Sequence, residues 1–153
     1  MRSESEANLA IEQYADMVRR ICFVHLKNRH DTEDIFQAVF LKYLLHDGGF
    51  ESAEHEKAWF ARVALNACKD FTKNVFRKKV VPLAFIEEQA AEADDERAEV
   101  LEAVLSLPVT YREVVYLFYY EGYGAGEIAR LLNRNENTVY TLLSRARKQL
   151  KQK

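Results

Sequence analysis

The sequence contains few of the residues that break or bridge a chain. Its 153 residues include five glycines, two prolines and two cysteines. With so few turn-forming residues, long helices are easy to build and tight hairpins are scarce. Alternation of valine or threonine with polar residues is nearly absent, so no sheet is indicated. The expected fold is all-α, as one ordinary domain or two small ones.

Other absences exclude classes of function. Cys22 and Cys68 are isolated from each other and from any histidine pair, which is typical of reduced, buried residues. The histidines do not group with carboxylates at metal-ligand spacing, and no phosphate-binding loop or nucleophile motif occurs. We therefore expect no enzyme, no metal and no cofactor. No signal peptide or long apolar span is present, so we expect a cytoplasmic protein without membrane insertion.

The charge is close to balanced but unevenly distributed. The net charge is −2. Acidic residues dominate from Glu87 to Glu102, whereas basic residues dominate from Lys69 to Lys79 and again from Arg130 to the end. Two basic patches separated by an acidic segment suggest two contacts with a polyanion, joined by a connector. The alternative is that each run is a solvated face.

Apolar spacing predicts three helices in the first half of the chain, at about 7–28, 31–45 and 54–78. Their inward residues are expected to be Leu9, Ile11, Tyr14, Val18, Ile21, Val24, Ile35, Val39, Phe40, Tyr43, Leu44, Trp59, Phe60, Val63, Ala64, Ala67, Phe71 and Val75. Pro82 ends the third helix, and the acidic stretch after it has too little apolar periodicity to pack. We expect a first domain at 7–80, a flexible linker at 81–95 and a second domain at 96–153.

The second half has the pattern of a helix-turn-helix. A helix at about 110–121 ends at Gly122, and a short helix follows with an apolar stripe between Glu127 and Leu132. Asn133 suits the left-handed turn that ends a helix, and Asn135 is a good N-cap for the next. In that last helix the expected buried residues are Val139, Leu142, Leu143, Ala146 and Leu150. Taken alone, the pattern equally fits an amphipathic hairpin with a solvated basic end.

Taken in order, these segments resemble a bacterial sigma factor of the sigma-seventy superfamily, of the extracytoplasmic-function type. Asp31–Lys42 resembles the family's polymerase-binding helix and Ala58–Asp70 its promoter-melting helix. Leu107-Pro108 and the segments from Glu127 to Arg147 resemble the domain that reads the minus-thirty-five element. Each motif is weak by itself, but the ordered set covers nearly the whole chain.

The resemblance implies contact residues in three places. Polymerase binding would involve Asp31, Asp34, Gln37 and Phe40. The minus-ten element would be contacted by Asn66, Lys69, Lys73, Arg77, Lys78 and Lys79. The minus-thirty-five element would be contacted by Glu136, Asn137, Thr138, Tyr140, Thr141, Ser144, Arg145, Arg147 and Lys148.

Each assignment has a chemical rationale. An exposed carboxylate and amide flanking an aromatic ring suit an interface with a polar rim and an apolar centre. The Asn66 amide can donate to and accept from one base edge, and lysines can follow the backbone. The loop of residues 46–56 would help to capture a base from the opened strand, with Gly48 and Gly49 supplying flexibility. Trp59 and Phe60 can stack on bases, although we expect at least one of them to be core.

The chain departs from the family's usual pattern in the recognition helix. Tyr140 and Leu142 replace two cations that the family commonly carries there, so phosphate binding must depend more on Arg145, Arg147 and Lys148. We expect Leu142 to pack into the core and Tyr140 to lie on the open side. Ala38 stands where a glutamate is common beside Gln37.

The resemblance therefore implies a sigma factor that binds core RNA polymerase and promoter DNA, with an anti-sigma factor as a further partner. The alternative is a sigma-like DNA-binding regulator or accessory factor that does not initiate alone. Ala38, Tyr140 and Leu142 leave that alternative open.

Overall fold

The computed structural model describes residues 1–78 and 102–152, with side chains to residue 74 in the first range. The chain divides into two compact units, Met1–Val80 and Val81–Lys153. Every regular element in the described ranges is helical, as expected of an all-α protein. The expected linker at 81–95 lies outside these ranges, as does Lys79. The side chains of Arg77 and Lys78 lie outside them too.

The first unit consists of three helices, α1 (Glu4–Leu26), α2 (Arg29–Leu45) and α3 (Ala53–Lys78). Helix α1 begins earlier than its apolar pattern predicts because Ser3 caps it, accepting a hydrogen bond from the Glu6 N–H at 3.2 Å. Lys27 ends α1 in the left-handed conformation, with φ of 56°. Asn28 then caps α2 by accepting a hydrogen bond from the Asp31 N–H. The turn between the two helices therefore lies at residues 27–28, about two residues earlier than the sequence pattern predicts.

Aromatic rings form the centre of the first unit. Phe60 on α3 is fully buried and packs against Tyr14, Phe40 and Tyr43, with ring centroids 4.8–5.1 Å apart. Aliphatic residues of all three helices surround this group. The expectation that Leu9 faces inward was wrong, because it is 55% exposed; Ile11 is exposed as well. Near the other end of α1, His25 Nε2 lies 3.2 Å from Thr72 Oγ1 on α3.

In the second unit the described residues start with a helical segment at 102–105 and continue with three helices. These are α4 (Val109–Val115), α5 (Ala125–Leu132) and α6 (Glu136–Lys151). Helix α4 runs directly into a π-helical turn at Tyr116–Tyr120, which the sequence pattern did not predict. Gly122 follows with φ of 73°, a conformation that glycine adopts without steric cost.

A buried guanidinium connects residues 105–107 of the second unit to α4. The Arg112 side chain is almost wholly buried, and its Nη1 donates to the carbonyl oxygens of Leu105 and Leu107 at 3.2 and 3.3 Å. Burial lowers the pKa of Arg112 to about 10, and the charge of neighbouring Glu113 partly opposes this shift. Arg112 therefore has a structural role, connecting the residues that precede α4 to the helix itself.

The helix-turn-helix forms as its sequence predicts. Asn133 ends α5 with φ of 54°, and the Arg134 N–H donates to the Ala129 carbonyl at 2.8 Å. Asn135 caps α6 by accepting from the Asn137 N–H at 3.0 Å. On α6, Val139, Leu142, Leu143 and Ala146 are buried as expected, and Leu150 is partly buried against the same core.

Candidate binding surfaces

The outer face of α2 combines polar and apolar side chains. Asp34 and Gln37 are exposed near its start, and Leu41 and Leu45 are 56% and 60% exposed further along. At 100° per residue these four side chains lie within about 80° of one another around the helix. The two exposed leucines, one turn apart, form a small apolar surface next to the polar pair.

Phe40 does not lie on this face. It is 8% exposed and packs against Phe60 and Phe36, so its burial disfavours the contact expected of it. Asp31 is half-buried, and burial raises the pKa of its carboxyl. Of the four residues expected to bind polymerase, Asp34 and Gln37 are therefore the accessible pair. Leu41 and Leu45 are the exposed apolar side chains beside this pair.

A polar stripe follows α3. Asn66 and Lys73 are exposed and Lys69 is half-buried. Arg62, which no motif of the sequence predicted as a contact residue, is also exposed and lies one turn before Asn66. The spacing 62, 66, 69, 73 keeps these side chains on one side of the helix. Counting back four residues from Asn66 would have identified Arg62 from the sequence.

The loop that joins α2 to α3 holds a group of stacked rings. His46 lies parallel to Phe50, with centroids 5.6 Å apart, and tilted against Trp59 at 5.1 Å. Phe50 meets Trp59 edge-on at 5.9 Å. All three rings are half-buried, whereas Phe60 is fully buried in the core. Of the two aromatic residues considered on α3, Trp59 is therefore the one that is accessible for stacking.

Arg2 reaches this loop from the start of the chain. Its guanidinium donates to the carbonyl oxygens of Tyr43, at 3.1 Å, and Gly48, at 2.7 Å. The same group lies over the rings of Tyr43 and Phe50, at 4.3 and 5.2 Å from their centroids. Gly48 and Gly49 do not adopt a positive φ. The flexibility expected of them stays a prediction.

The outer face of α6 is polar and accessible. Thr138 is half-buried, and the other side chains expected to contact the minus-thirty-five element are exposed. These are Glu136, Asn137, Tyr140, Thr141, Ser144, Arg145, Arg147 and Lys148. Thr141 Oγ1 donates to the Asn137 carbonyl at 3.0 Å, so its hydroxyl remains available as an acceptor. Leu142 lies in the core, as predicted.

Tyr119 holds one of the exposed cations in place. Arg147 Nε donates to the Tyr119 hydroxyl at 2.6 Å, and its guanidinium lies over the rings of Phe118 and Tyr119. Tyr119 belongs to the π-helical turn, where the Tyr116 hydroxyl also donates to the Glu121 carboxylate. Single π-helical turns are often found at functional sites because they reposition side chains.

Neither a metal site nor a disulfide occurs among the residues that the structure describes. Between residues 1 and 78 and between 102 and 152, no group of three or more His, Cys, Asp or Glu side chains could hold a metal ion. Cys22 and Cys68 are buried, as predicted, and neither forms a disulfide. None of the helices in the described part of the chain is long and apolar enough to cross a membrane.

A helical unit with two accessible polar faces and a second unit with a helix-turn-helix define a class of DNA-binding transcription protein. Two family models match the chain, "Sigma-70 region 2" over residues 10–77 and "Sigma-70, region 4" over residues 97–150. The chain belongs to the extracytoplasmic-function type of the sigma-70 family of RNA polymerase sigma factors. It directs promoter-specific transcription initiation and is not an enzyme.

Individual relatives agree with this assignment. RNA polymerase sigma factor SigV of Bacillus subtilis is 30% identical over 131 residues, covering 84% of this chain and 79% of that protein. ECF RNA polymerase sigma factor SigM of the same organism is 26% identical, covering 92% and 90%. The sigma factor RpoE in its co-crystal structure with the anti-sigma factor NepR from Bartonella quintana has the same fold, with a TM-score of 0.76, 16% identity and coverage of 95% and 94%.

Proposed function

We propose a division of roles within the chain. Residues 7–80 bind core polymerase and engage the minus-ten element, residues 81–95 connect, and residues 96–153 read the minus-thirty-five element. The main support is that the polar side chains proposed to make these contacts lie on the surface and are not needed to fill the hydrophobic cores. On α6, Val139, Leu142 and Leu143 fill the core, while Asn137, Ser144 and their neighbours remain exposed.

Polymerase binding is assigned to the outer face of α2, formed by Asp34, Gln37, Leu41 and Leu45. Stable interfaces combine an apolar centre with a polar rim. The two exposed leucines supply the centre, and Asp34 and Gln37 supply the rim. The ion pair between Arg19 Nε and Glu33 Oε1, at 2.9 Å, links α1 to α2 beside this face.

Minus-ten recognition is assigned to α3 together with the loop before it. Asn66 would contact a base edge, flanked by Arg62 and Lys69 on the backbone, with Lys73 further along. The backbone contacts supply affinity without sequence preference, whereas the amide supplies preference. The half-buried rings of the loop offer stacking surfaces to a base that has left the duplex. Arg77, Lys78 and Lys79 extend the basic run in sequence and remain part of this proposal.

Minus-thirty-five recognition is assigned to the exposed face of α6. Asn137, Thr141 and Ser144 form its centre, with Glu136, Thr138 and Tyr140 beside them. Arg145 and Arg147 are two residues apart and therefore project about 160° from each other around the helix. A helix in the major groove with a cation on each flank can contact phosphates on both sides, and Lys148 adds a third cation. Two flanking arginines offset the loss of cations at Tyr140 and Leu142.

We also propose an anti-sigma partner and a cytoplasmic location. The proposal of a partner is supported by the structural relative RpoE, whose structure is a complex with an anti-sigma factor. A partner of this kind should compete with core polymerase for the chain. Competition is measured by adding the candidate to a preformed complex of labelled chain and polymerase, and a candidate that leaves the complex intact is not such a partner.

The division of roles is tested by separating assembly from DNA opening. We expect a double change of Asp34→Ala and Gln37→Ala to weaken assembly with core polymerase, measured by anisotropy of labelled chain. We expect Asn66→Ala to leave assembly unchanged and to reduce permanganate reactivity of minus-ten thymines. Glu12→Ala, an exposed carboxylate on α1, is the matched control and should change neither. If the α2 and α3 variants fail at the same step, the division is wrong.

A further inference from the structure

Arg2, which lies just before α1, contacts both the end of α2 and the loop that follows it. Its side chain is 13% exposed, and all three guanidinium nitrogens have partners. Nε and Nη2 donate to the carbonyl oxygens of Tyr43 and Gly48, and Nη1 lies 3.2 Å from Glu6 Oε2. Its backbone N–H also donates to the Leu44 carbonyl, at 3.0 Å. Arg2 thus ties the start of α1 to the end of α2 and to the loop beyond it.

The direction of Arg2 is itself fixed by local structure. Ser3 caps α1, and Glu6 returns the contact by accepting from the Ser3 hydroxyl at 3.3 Å. Because Glu6 also pairs with Arg2, the capping residues and the guanidinium form one unit. The hydrogen bond from the Arg2 guanidinium, followed by the hydrogen bonds of Ser3, lowers the pKa of Glu6.

The loop that Arg2 holds presents the stacked rings. The guanidinium lies over the faces of Tyr43 and Phe50, and Phe50 in turn contacts His46 and Trp59. Gly48, whose carbonyl accepts from Arg2, is packed beneath the His46 ring. A Cβ built on Gly48 would lie 2.9 Å from His46 Nε2, whereas one on Gly49 would meet nothing within 4 Å. The loop is therefore fixed from one side by Arg2 and from the other by ring packing.

We propose that Arg2 is a positioning residue for minus-ten recognition, holding residues 46–50 in the form that presents His46, Phe50 and Trp59 to an unstacked base. This inference rests on the proposed function of the loop. A loop ordered before DNA arrives binds with a smaller loss of conformational entropy, so removal of the clamp weakens capture even though Arg2 itself does not contact the base.

The free protein provides a direct readout, because Trp59 is the sole tryptophan. Acrylamide quenching of its fluorescence measures how well the rings shield it. Arg2→Ala should increase quenching at unchanged helix content. Arg2→Lys retains the charge but not the planar set of donors, so it should increase quenching less. Gly48→Ala should also increase quenching by displacing His46, and Gly49→Ala should leave it unchanged.

The second readout is promoter opening by polymerase with each variant, on a promoter mapped from the transcripts that the wild-type chain produces. Arg2→Ala and Gly48→Ala should each lower opening by about tenfold, the equivalent of one base contact. Supplying the minus-ten region as a premelted bubble should not restore binding, because the defect lies in base capture. Gly49→Ala should open the promoter as well as wild type does.

Two results would overturn the proposal, and they differ in meaning. If Arg2→Ala leaves Trp59 quenching unchanged, Arg2 does not hold the loop, whatever the loop does. If Arg2→Ala and Gly48→Ala both raise quenching but open the promoter normally, the clamp exists and the loop has no part in minus-ten recognition. The second result would also contradict the proposed function of the loop, whereas the first would not.

Discussion

Substitutions at two adjacent positions on α2 should affect different properties, one the stability of the fold and the other the affinity for core polymerase. Leu41 is mostly exposed, whereas Phe40 is buried against Phe60 with ring centroids 5.1 Å apart. Exposed substitutions change stability by less than about 0.5 kcal/mol, so Leu41→Ala should leave the free energy of unfolding almost unchanged. Phe40→Ala leaves a cavity in the aromatic core and should cost about 3–5 kcal/mol.

These energies translate into clear shifts in melting temperature. A loss of about 1 kcal/mol lowers the melting temperature of a unit of this size by roughly 4–8 °C. Phe40→Ala should therefore melt at least about 12 °C below wild type, and Leu41→Ala within about 4 °C of it. Circular dichroism at 222 nm measures both.

The order reverses when the measured quantity is affinity for core polymerase. Loss of an apolar side chain at the centre of an interface costs about 1–2 kcal/mol, so Leu41→Ala should bind about 5–30-fold more weakly. Leu9→Ala is the matched control, because Leu9 on α1 is 55% exposed against 56% for Leu41. Fluorescence anisotropy with labelled chain provides the affinities. Equal affinity for the Leu41 and Leu9 variants would refute the assignment of the α2 face.

Three further predictions concern DNA. Asn66→Ala should change preference at one minus-ten position by about 1–3 kcal/mol, whereas Lys73→Ala should weaken all promoters alike and reduce the salt slope by about one; competition between promoter variants measures both, and a uniform loss for Asn66→Ala would contradict base reading. Tyr119→Phe removes the acceptor of the Arg147 hydrogen bond and should weaken minus-thirty-five binding at unchanged salt slope, whereas exposed Tyr120→Phe should have no effect in the same titration. Tyr140→Lys should strengthen minus-thirty-five binding and steepen its salt slope by about one, and an unchanged slope would show that this side chain does not face a phosphate.

Local sequence signals were sufficient wherever the structure depends on neighbours in the chain. Asn133 and Asn135 shape the turn of the helix-turn-helix through their own backbone and caps, so spacing and residue type predicted them. The buried side of α6 followed from apolar periodicity for the same reason. Leu142 was placed correctly because it extends a stripe that is apolar at every turn.

The structural features that the sequence did not predict depend mainly on contacts between residues that are distant in sequence. Apolar periodicity placed Phe40 on the inward side of α2, whereas the family resemblance also assigned it to the polymerase-binding face. Packing against Phe60, twenty residues away in sequence, buries the Phe40 ring and disfavours a contact with polymerase. Arg2 contacts Gly48 across 46 positions, and no local pattern signals that contact. The π-helical turn at Tyr116–Tyr120 likewise has no periodic signal of its own.

In vitro transcription tests the central claim most directly. Purified core polymerase is given genomic DNA of the source organism with or without the full chain, and the 5′ ends of the transcripts are sequenced. We predict a limited set of start sites that appear only with the chain and share two sequence elements, near minus ten and minus thirty-five. Start sites identical to those of core polymerase alone, or sites that appear only when another sigma factor is added, would contradict the claim that this chain directs initiation.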